Sequence, residues 1–119
     1  MPATDIAPVT PRLSAIVVVG ERRDRIGRCL AGLLAQGNLA ELEIVLIDLE
    51  PEAAPPPGAE HPCVRRLPLA PDTTFAEARQ RGLLAARAPV VAFLEEHAAP
   101  LAGWSAALLR AHAGPWAAV

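Results

Sequence analysis

The chain has 119 residues, a hydrophobic fraction of 52% and a formal net charge of −2, which together predict one folded domain and exclude a disordered chain. All eleven basic residues are arginine, and they are spread along the chain instead of forming the basic block of a nucleic-acid-binding surface. No apolar stretch approaches the ~20 residues that cross a bilayer, and the start of the chain lacks the order of a secretion signal. We therefore expect a cytoplasmic protein without a nucleic-acid partner, and membrane association only through segments outside this chain.

The two cysteines, Cys29 and Cys63, are too few for a disulfide scaffold and do not form a C-x-x-C pair. They are expected to be reduced thiols, as in a cytosolic protein. His61 lies close to Cys63, but no further ligands follow at the spacing of a zinc site. A metal site is therefore not predicted there.

The amino-terminal half is predicted to form a tail followed by a strand, a helix and a second strand. Three prolines within 1–12 predict a flexible tail, so the folded domain is expected to occupy 13–119. An unbroken apolar run predicts a buried strand over 13–20, and a second such run predicts another over 43–48. Between them, 22–36 has one apolar helical stripe, which consists of Ile26, Leu30, Leu33 and Leu34. Two buried strands joined by a helix predict a right-handed parallel unit.

The carboxyl-terminal half begins with a proline-rich surface loop over 50–62. Arginines interrupt the apolar run at 63–69, which predicts a short strand near an edge of the sheet. The run over 90–94 predicts a further buried strand, and the spacing of apolar residues predicts a helix over 104–112. Residues 116–119 resemble the beginning of another strand.

A second helix is predicted to begin after Thr74. In the sequence Thr74-x-x-Glu77, the threonine hydroxyl can accept from a free backbone N–H, and the glutamate can reach back to the cap residue. Small residues dominate the apolar face of this helix, so it can approach a sheet closely; that face is predicted to contain Phe75, Ala78, Gly82, Ala85 and Ala86. The order of elements predicts an α/β fold with a mostly parallel sheet and helices on both faces.

Ionisable side chains follow two of the predicted strands at the point where each strand ends. Glu95, Glu96 and His97 come directly after the strand at 90–94, and Asp48 closes the second strand. Ligands of open α/β sheets bind at this edge, and carboxylates beside an imidazole suit a divalent cation that holds a phosphate. These residues also allow a simpler interpretation, in which Glu95, Glu96 and His97 form a solvated turn and Asp48 caps the turn that follows it.

Three stretches resemble the amino-terminal half of a family 2 glycosyltransferase, an inverting enzyme of the GT-A fold that uses a nucleotide-sugar donor. They are L-S-A-I-V-V-V-G-E-R-R-D-R-I-G-R-C-L-A-G-L-L-A-Q, then E-I-V-L-I-D, then F-A-E-A-R-Q-R-G-L-L-A-A-R-A-P-V-V-A-F-L-E-E-H-A-A-P-L-A-G-W. The third is the most specific, because the family has an A-R-N-x-G helix, a strand and an acidic triplet in this order. The resemblance covers nearly the whole chain and implies a Rossmann-like GT-A domain.

The resemblance also implies the positions of a donor site, which would comprise Gly20, Glu21, Asp48, Arg79, Glu95 and Glu96. Asp48 would contact the nucleotide base, such as the uracil of a UDP-sugar, and Arg79 would contact phosphate oxygens. Glu95 and His97 would hold a manganese or magnesium ion that bridges the two phosphates. Arg81 is a second phosphate candidate, although arginines at such positions more often belong to a solvated helix face.

The chain departs from the family pattern at three of these places. Glu95-Glu96-His97 replaces an Asp-x-Asp triplet, Leu49 replaces an acid after Asp48, and Gln80 stands where asparagine is usual. Magnesium prefers oxygen ligands, whereas an imidazole suits manganese or zinc. The family's acceptor site and catalytic base would follow the last residue, so the chain is expected to be a truncated half-domain that is inactive alone.

Two function classes therefore remain open. The first is the donor-binding region of a glycosyltransferase that moves a sugar to an unknown acceptor. The alternative is a non-catalytic, degenerate nucleotide-binding or interaction module whose altered triplet no longer binds metal. A flavodoxin-like regulatory domain is a weaker third possibility, because Gly20-Glu21 supplies a single acid at the end of the first strand.

Overall fold

A computed structural model describes residues 10–115 of the chain. Most of the predicted tail, and the strand predicted over 116–119, lie outside the described residues. Within 10–12, the Arg12 N–H donates to the Glu41 carbonyl at 2.8 Å, and the Arg12 guanidinium lies 2.7 Å from the Glu41 carboxylate. The described chain therefore joins the sheet just before the predicted domain boundary.

The described residues form a four-stranded sheet and three α-helices. The elements in chain order are β1 (Leu13–Val19), α1 (Ile26–Leu34), β2 (Leu42–Asp48), β3 (Val64–Pro68), α2 (Phe75–Ala85), β4 (Val90–Glu95) and α3 (Trp104–His112). A short 3-10 turn, Leu39–Glu41, leads into β2. The strands are all parallel in the order β3-β2-β1-β4, which confirms the predicted Rossmann-like α/β class.

Helices cover both faces of this sheet, as predicted. Alternate residues of β1 and β2, such as Val17 and Leu46, pack with apolar residues of α1 and α3. The residues between them, such as Val18 and Ile47, face α2. Because both faces of the two central strands are buried, their sequences are continuous apolar runs and not alternating ones.

The first helix begins four residues later than its predicted start at Arg22. Residues 22–25 form a loop instead, and α1 starts at Ile26. The Arg23 side chain binds the Asp48 carboxylate at the end of β2, with an Nη1–Oδ1 distance of 2.7 Å. This long-range ion pair holds the loop across the edge of the sheet, away from the helix axis.

The cap of α2 is close to the predicted one. The Thr74 hydroxyl accepts from the Glu77 N–H at 3.1 Å, and the Glu77 carboxylate accepts from the Thr74 hydroxyl instead of the Thr74 backbone N–H. Ala78 and Gly82 pack on the sheet as expected. Phe75 does not, because it lies at the first position of the helix beyond the strand ends and is 56% exposed.

The turn that follows β4 is anchored on α1. The Gln36 amide donates to the Leu101 carbonyl at 2.9 Å and accepts from the Ser105 N–H at 3.0 Å. The Pro100 backbone also crosses close to Gly32, where an added Cβ would lie 2.9 Å from the Pro100 oxygen. These contacts fix the direction in which the chain leaves Glu95-Glu96-His97.

Within residues 10–115, no helix has the length and apolarity to cross a membrane.

Candidate functional site at the carboxyl edge of the sheet

The strand register brings the ends of β2, β1 and β4 to one edge. Val19 pairs with Asp48 on one side, and Val18 pairs with Glu95 on the other. Since all three strands are parallel, Asp48 and Glu95 flank the end of β1 at the edge where open α/β sheets bind ligands.

The two carboxylates nevertheless lie on opposite faces of the sheet. Side chains of paired residues in parallel strands share a face, and Val19 packs on the α1 side whereas Val18 packs on the α2 side. Asp48 therefore belongs to the α1 side and Glu95 to the α2 side. The end of β1 separates them.

Three adjoining cavities open around the end of β1 and are called the edge groove below. The largest, of about 340 Å³, is lined by Val18, Phe75, Arg79, Leu94, Glu95, Glu96 and His97. A second of about 280 Å³ is lined by Gly20, Glu21, Arg22, Phe75 and Glu96, and a third of about 200 Å³ by Arg22, Asp24, Arg25, Glu96 and His97. Glu96 borders all three cavities, so they adjoin one another around its side chain.

The edge groove thus brings together most of the residues nominated from the sequence, namely Gly20, Glu21, Arg79, Glu95, Glu96 and His97. Asp48 and Arg81 line none of the three cavities. Arg81 follows Arg79 by two positions on α2, which is about 200° around the helix, so it points away from the groove.

Glu95 and His97 form the candidate metal position. Oε2 of Glu95 lies 2.9 Å from Nε2 of His97, and both side chains are more than half exposed. Across residues 10–115, no group of three His, Cys, Asp or Glu side chains is arranged around a common point. One carboxylate and one imidazole are a donor set that suits manganese better than magnesium.

Asp48 has a different environment, because its carboxylate is fully buried beneath two arginines. Arg23 binds it with both guanidinium nitrogens, at 2.7 and 3.1 Å, and Arg66 Nε donates to Oδ2 at 2.8 Å. The Glu50 N–H donates to Oδ1 at 2.9 Å. Burial opposes ionisation of this carboxyl, but the hydrogen bonds from Arg23, Glu50 and Arg66 outweigh burial and lower its pKa. The hydrogen bond to Asp48 in turn raises the pKa of Arg23.

Several residues that line the edge groove were not nominated from the sequence, and Phe75 and Arg22 each border two of its cavities. Phe75 borders both larger cavities, and Arg22 borders the two smaller ones. Phe75 could have been nominated from its position directly after the Thr74 cap, since the first residue of a helix that follows a parallel strand lies at the ligand-binding edge. Arg22 falls within the helix predicted over 22–36, whereas the structure places it in the loop before α1.

Other residues have the structural roles expected of them. Trp104 is half-buried and packs against the core on the α1 side. Cys29 is fully buried, and burial raises the pKa of its thiol to about 11, while Cys63 is half-buried. Both are free cysteines, as predicted.

The comparison with known families gives the general function. The family model described as Glycosyl transferase family 2 matches residues 14–119. The chain belongs to this family. A search of curated proteins gives no significant match.

Membership in glycosyl transferase family 2 agrees with the all-parallel sheet and with a groove at its carboxyl edge. It supports glycosyl transfer in general terms, with a nucleotide-sugar donor, an acceptor and commonly a divalent metal. The cytoplasmic location expected from the sequence stays a prediction.

Proposed function

We propose that the edge groove binds the nucleotide-sugar donor of a sugar-transfer reaction. The observation that carries this proposal is the mixed lining of the 340 Å³ cavity, which combines apolar and aromatic side chains with ionic ones. A nucleoside diphosphate presents the same combination, an aromatic base and an anionic diphosphate.

The apolar lining residues are Val18, Phe75 and Leu94. Phe75 supplies the one phenyl ring among the lining residues, and this exposed ring offers a stacking surface for a base. Stacking of a base on an aromatic side chain contributes about 1–3 kcal/mol and does not depend strongly on which base is present. Phe75 would therefore hold the base without deciding its identity.

The ionic lining residues are Arg79, Glu95, Glu96 and His97. Arg79 reaches the groove from α2 and would donate to the diphosphate oxygens, for which a guanidinium is well suited. Glu95 and His97 would hold the divalent metal, which would neutralise charge on the leaving diphosphate. Gly20 and Glu21 line the adjoining 280 Å³ cavity and would lie beside the ribose.

The reaction proposed for the intact enzyme is a direct inverting displacement. An oxygen of the acceptor forms a bond to the anomeric carbon as the bond from that carbon to the diphosphate oxygen breaks. Arg79 stabilises the diphosphate charge that develops, and the groove keeps the sugar phosphate oriented. The proton of the acceptor hydroxyl passes to a base that we do not assign to any described residue.

The two arginines of α2 test this assignment. Arg79→Gln removes a guanidinium from the groove and should weaken binding of uridine diphosphate (UDP) at least about tenfold, the scale of a lost charge-assisted hydrogen bond. Arg81→Gln removes the same charge from the far side of the helix and should change the affinity less than about twofold. Equal effects of both variants in a calorimetric titration would overturn the assignment.

A second candidate function follows from the incomplete metal position. Two ligands at the end of β4, where the family pattern has an acidic triplet, favour a nucleotide-binding module that works without metal. Such a module would bind UDP equally well in the presence of manganese and of a chelator. A donor site of the proposed kind would bind UDP more tightly with manganese.

A further inference from the structure

The acceptor capacity of the Asp48 carboxylate is already filled. Its two oxygens accept four hydrogen bonds, two from Arg23, one from Arg66 and one from the Glu50 N–H. A carboxylate offers about four lone-pair positions, so none remains for a ring N–H of a nucleotide base. The side chain is also fully buried and borders none of the cavities of the edge groove.

Arg23 connects this carboxylate to the wall of the groove. Besides the two hydrogen bonds to Asp48, its Nη1 lies 3.5 Å from the Gly20 carbonyl and its Nη2 donates to the Ala54 carbonyl at 3.0 Å. It therefore joins the end of β2, the proline-rich loop and the segment 20–22. That segment lines the two smaller cavities.

We propose that Asp48 and Arg23 are positioning residues for donor binding. Asp48 holds Arg23, Arg23 holds segment 20–22 against the groove, and neither side chain touches the donor. This inference rests on the proposed donor site and differs from the direct base contact that the family resemblance implies for Asp48. Its physical basis is the bidentate, buried geometry of the pair, which fixes the guanidinium in one orientation.

Arg66 provides the matched control within the same cluster. It binds the same carboxylate, with an Nη2–Oδ2 distance of 2.6 Å, but its other hydrogen bond goes to the Pro51 carbonyl at 3.1 Å. Arg66 belongs to β3, on the side of β2 away from the groove. Losing Arg66 should therefore weaken the cluster without releasing segment 20–22.

A second control lies at the other end of β2. The Glu43 carboxylate also accepts four hydrogen bonds, from the Ser14 hydroxyl, the Arg87 N–H and the side chains of Arg65 and Arg87. Five residues of strand, roughly 16 Å, separate it from Asp48. Arg65→Gln removes one hydrogen bond from a similar cluster at the opposite edge of the sheet, away from the edge groove.

The test measures two quantities in Arg23→Gln, Arg66→Gln and Arg65→Gln, below the melting temperature of each variant. The first is amide hydrogen exchange of residues 20–22, which needs no ligand. The second is the dissociation constant for UDP with manganese. We expect faster exchange and about tenfold weaker UDP binding in Arg23→Gln, and changes below about twofold in both controls. Arg23→Lys, which keeps the charge but loses the bidentate fork, replaces Arg23→Gln if that variant does not fold.

The direction in which UDP affinity changes in Arg23→Gln distinguishes a positioning role from direct contact. If Asp48 itself accepts a hydrogen bond from the base, removing Arg23 frees an acceptor, so UDP binding should stay unchanged or become tighter. That result overturns the inference. Exchange rates in Arg23→Gln that match those of Arg66→Gln overturn it as well. A wild-type chain that shows no UDP binding refutes the proposed donor site, and the exchange rates then still decide whether Arg23 holds the segment.

Discussion

Glu95 and His97 lie side by side at the end of β4, with Oε2 of the carboxylate 2.9 Å from Nε2 of the imidazole. The residue between them, Glu96, borders every cavity of the edge groove. The segment that follows the turn is anchored by Gln36, whose side chain binds both the Leu101 carbonyl and the Ser105 N–H. The side chains of Glu95 and His97 pair with each other and remain more than half exposed, so a ligand can reach both of them.

Phe75 should contribute to nucleotide binding through its ring. Phe75→Ala removes the stacking surface, so UDP binding should weaken about tenfold or more, whereas binding of pyrophosphate, which has no base, should not change. Leu84→Ala removes another exposed apolar side chain, one on α2 that does not line the groove, and should affect neither ligand. Parallel titrations with the two ligands check this; an equal loss for UDP and pyrophosphate would refute a stacking role.

Gly82 should be required for the close approach of α2 to the sheet. A Cβ at this position would lie 2.6 Å from Cγ2 of the buried Ile16, a methyl group in the close-packed core. Gly82→Ala should lower the free energy of unfolding by about 1–2 kcal/mol, because overpacking outweighs the better helix propensity of alanine.

Gly37→Ala is the control for that substitution, since a Cβ at Gly37 meets nothing within 4 Å. Its stability should stay within about 0.5 kcal/mol of the wild type in urea unfolding. A Gly82→Ala variant as stable as Gly37→Ala would show that α2 does not pack as closely as the structure describes.

The two buried carboxylates predict a loss of stability in acid. Burial opposes ionisation of Asp48 and of Glu43, but their hydrogen bonds outweigh burial and lower both pKa values in the folded state. A lowered pKa means that the stabilising contribution is complete above the ordinary pKa of about 4 and is lost as the pH falls through the folded-state value.

Urea unfolding between pH 7 and pH 3 measures this effect. The free energy of unfolding should be nearly constant down to about pH 5 and should then fall steeply. Asp48→Asn should be less stable at pH 7 and should show a shallower fall, because it lacks one of the two titrating groups. Stability that is independent of pH down to pH 3 would contradict the buried ion clusters.

The fold could be predicted from the sequence because its signals are local. The apolar runs of β1 and β2 are long enough to identify strands buried on both faces, and Thr74 marks the start of α2 within one residue. Residues that end neighbouring parallel strands must lie at one edge, so the positions of Asp48 and Glu95 at that edge also followed from the sequence.

The faces and partners at that edge could not be predicted in the same way. The face on which Asp48 or Glu95 lies depends on the register with β1, which no local pattern gives. Arg23 and Asp48 are 25 residues apart, and their contact decides where α1 begins. The spacing of Phe75 in the sequence places it on the apolar face of its helix. Its side chain is exposed because α2 begins beyond the strand ends, and the sequence does not give that position.

Glu95 and His97 are proposed to bind a metal that holds a diphosphate in the edge groove. The most direct measurement is the UDP dissociation constant with manganese and with a chelator, in the wild type, Glu95→Gln and His97→Ala, with Glu60→Gln and His112→Ala as matched controls outside the groove. We predict that manganese tightens UDP binding in the wild type and both controls, and that this gain is lost in Glu95→Gln and in His97→Ala. UDP binding that responds to manganese equally in all five proteins would contradict the claim.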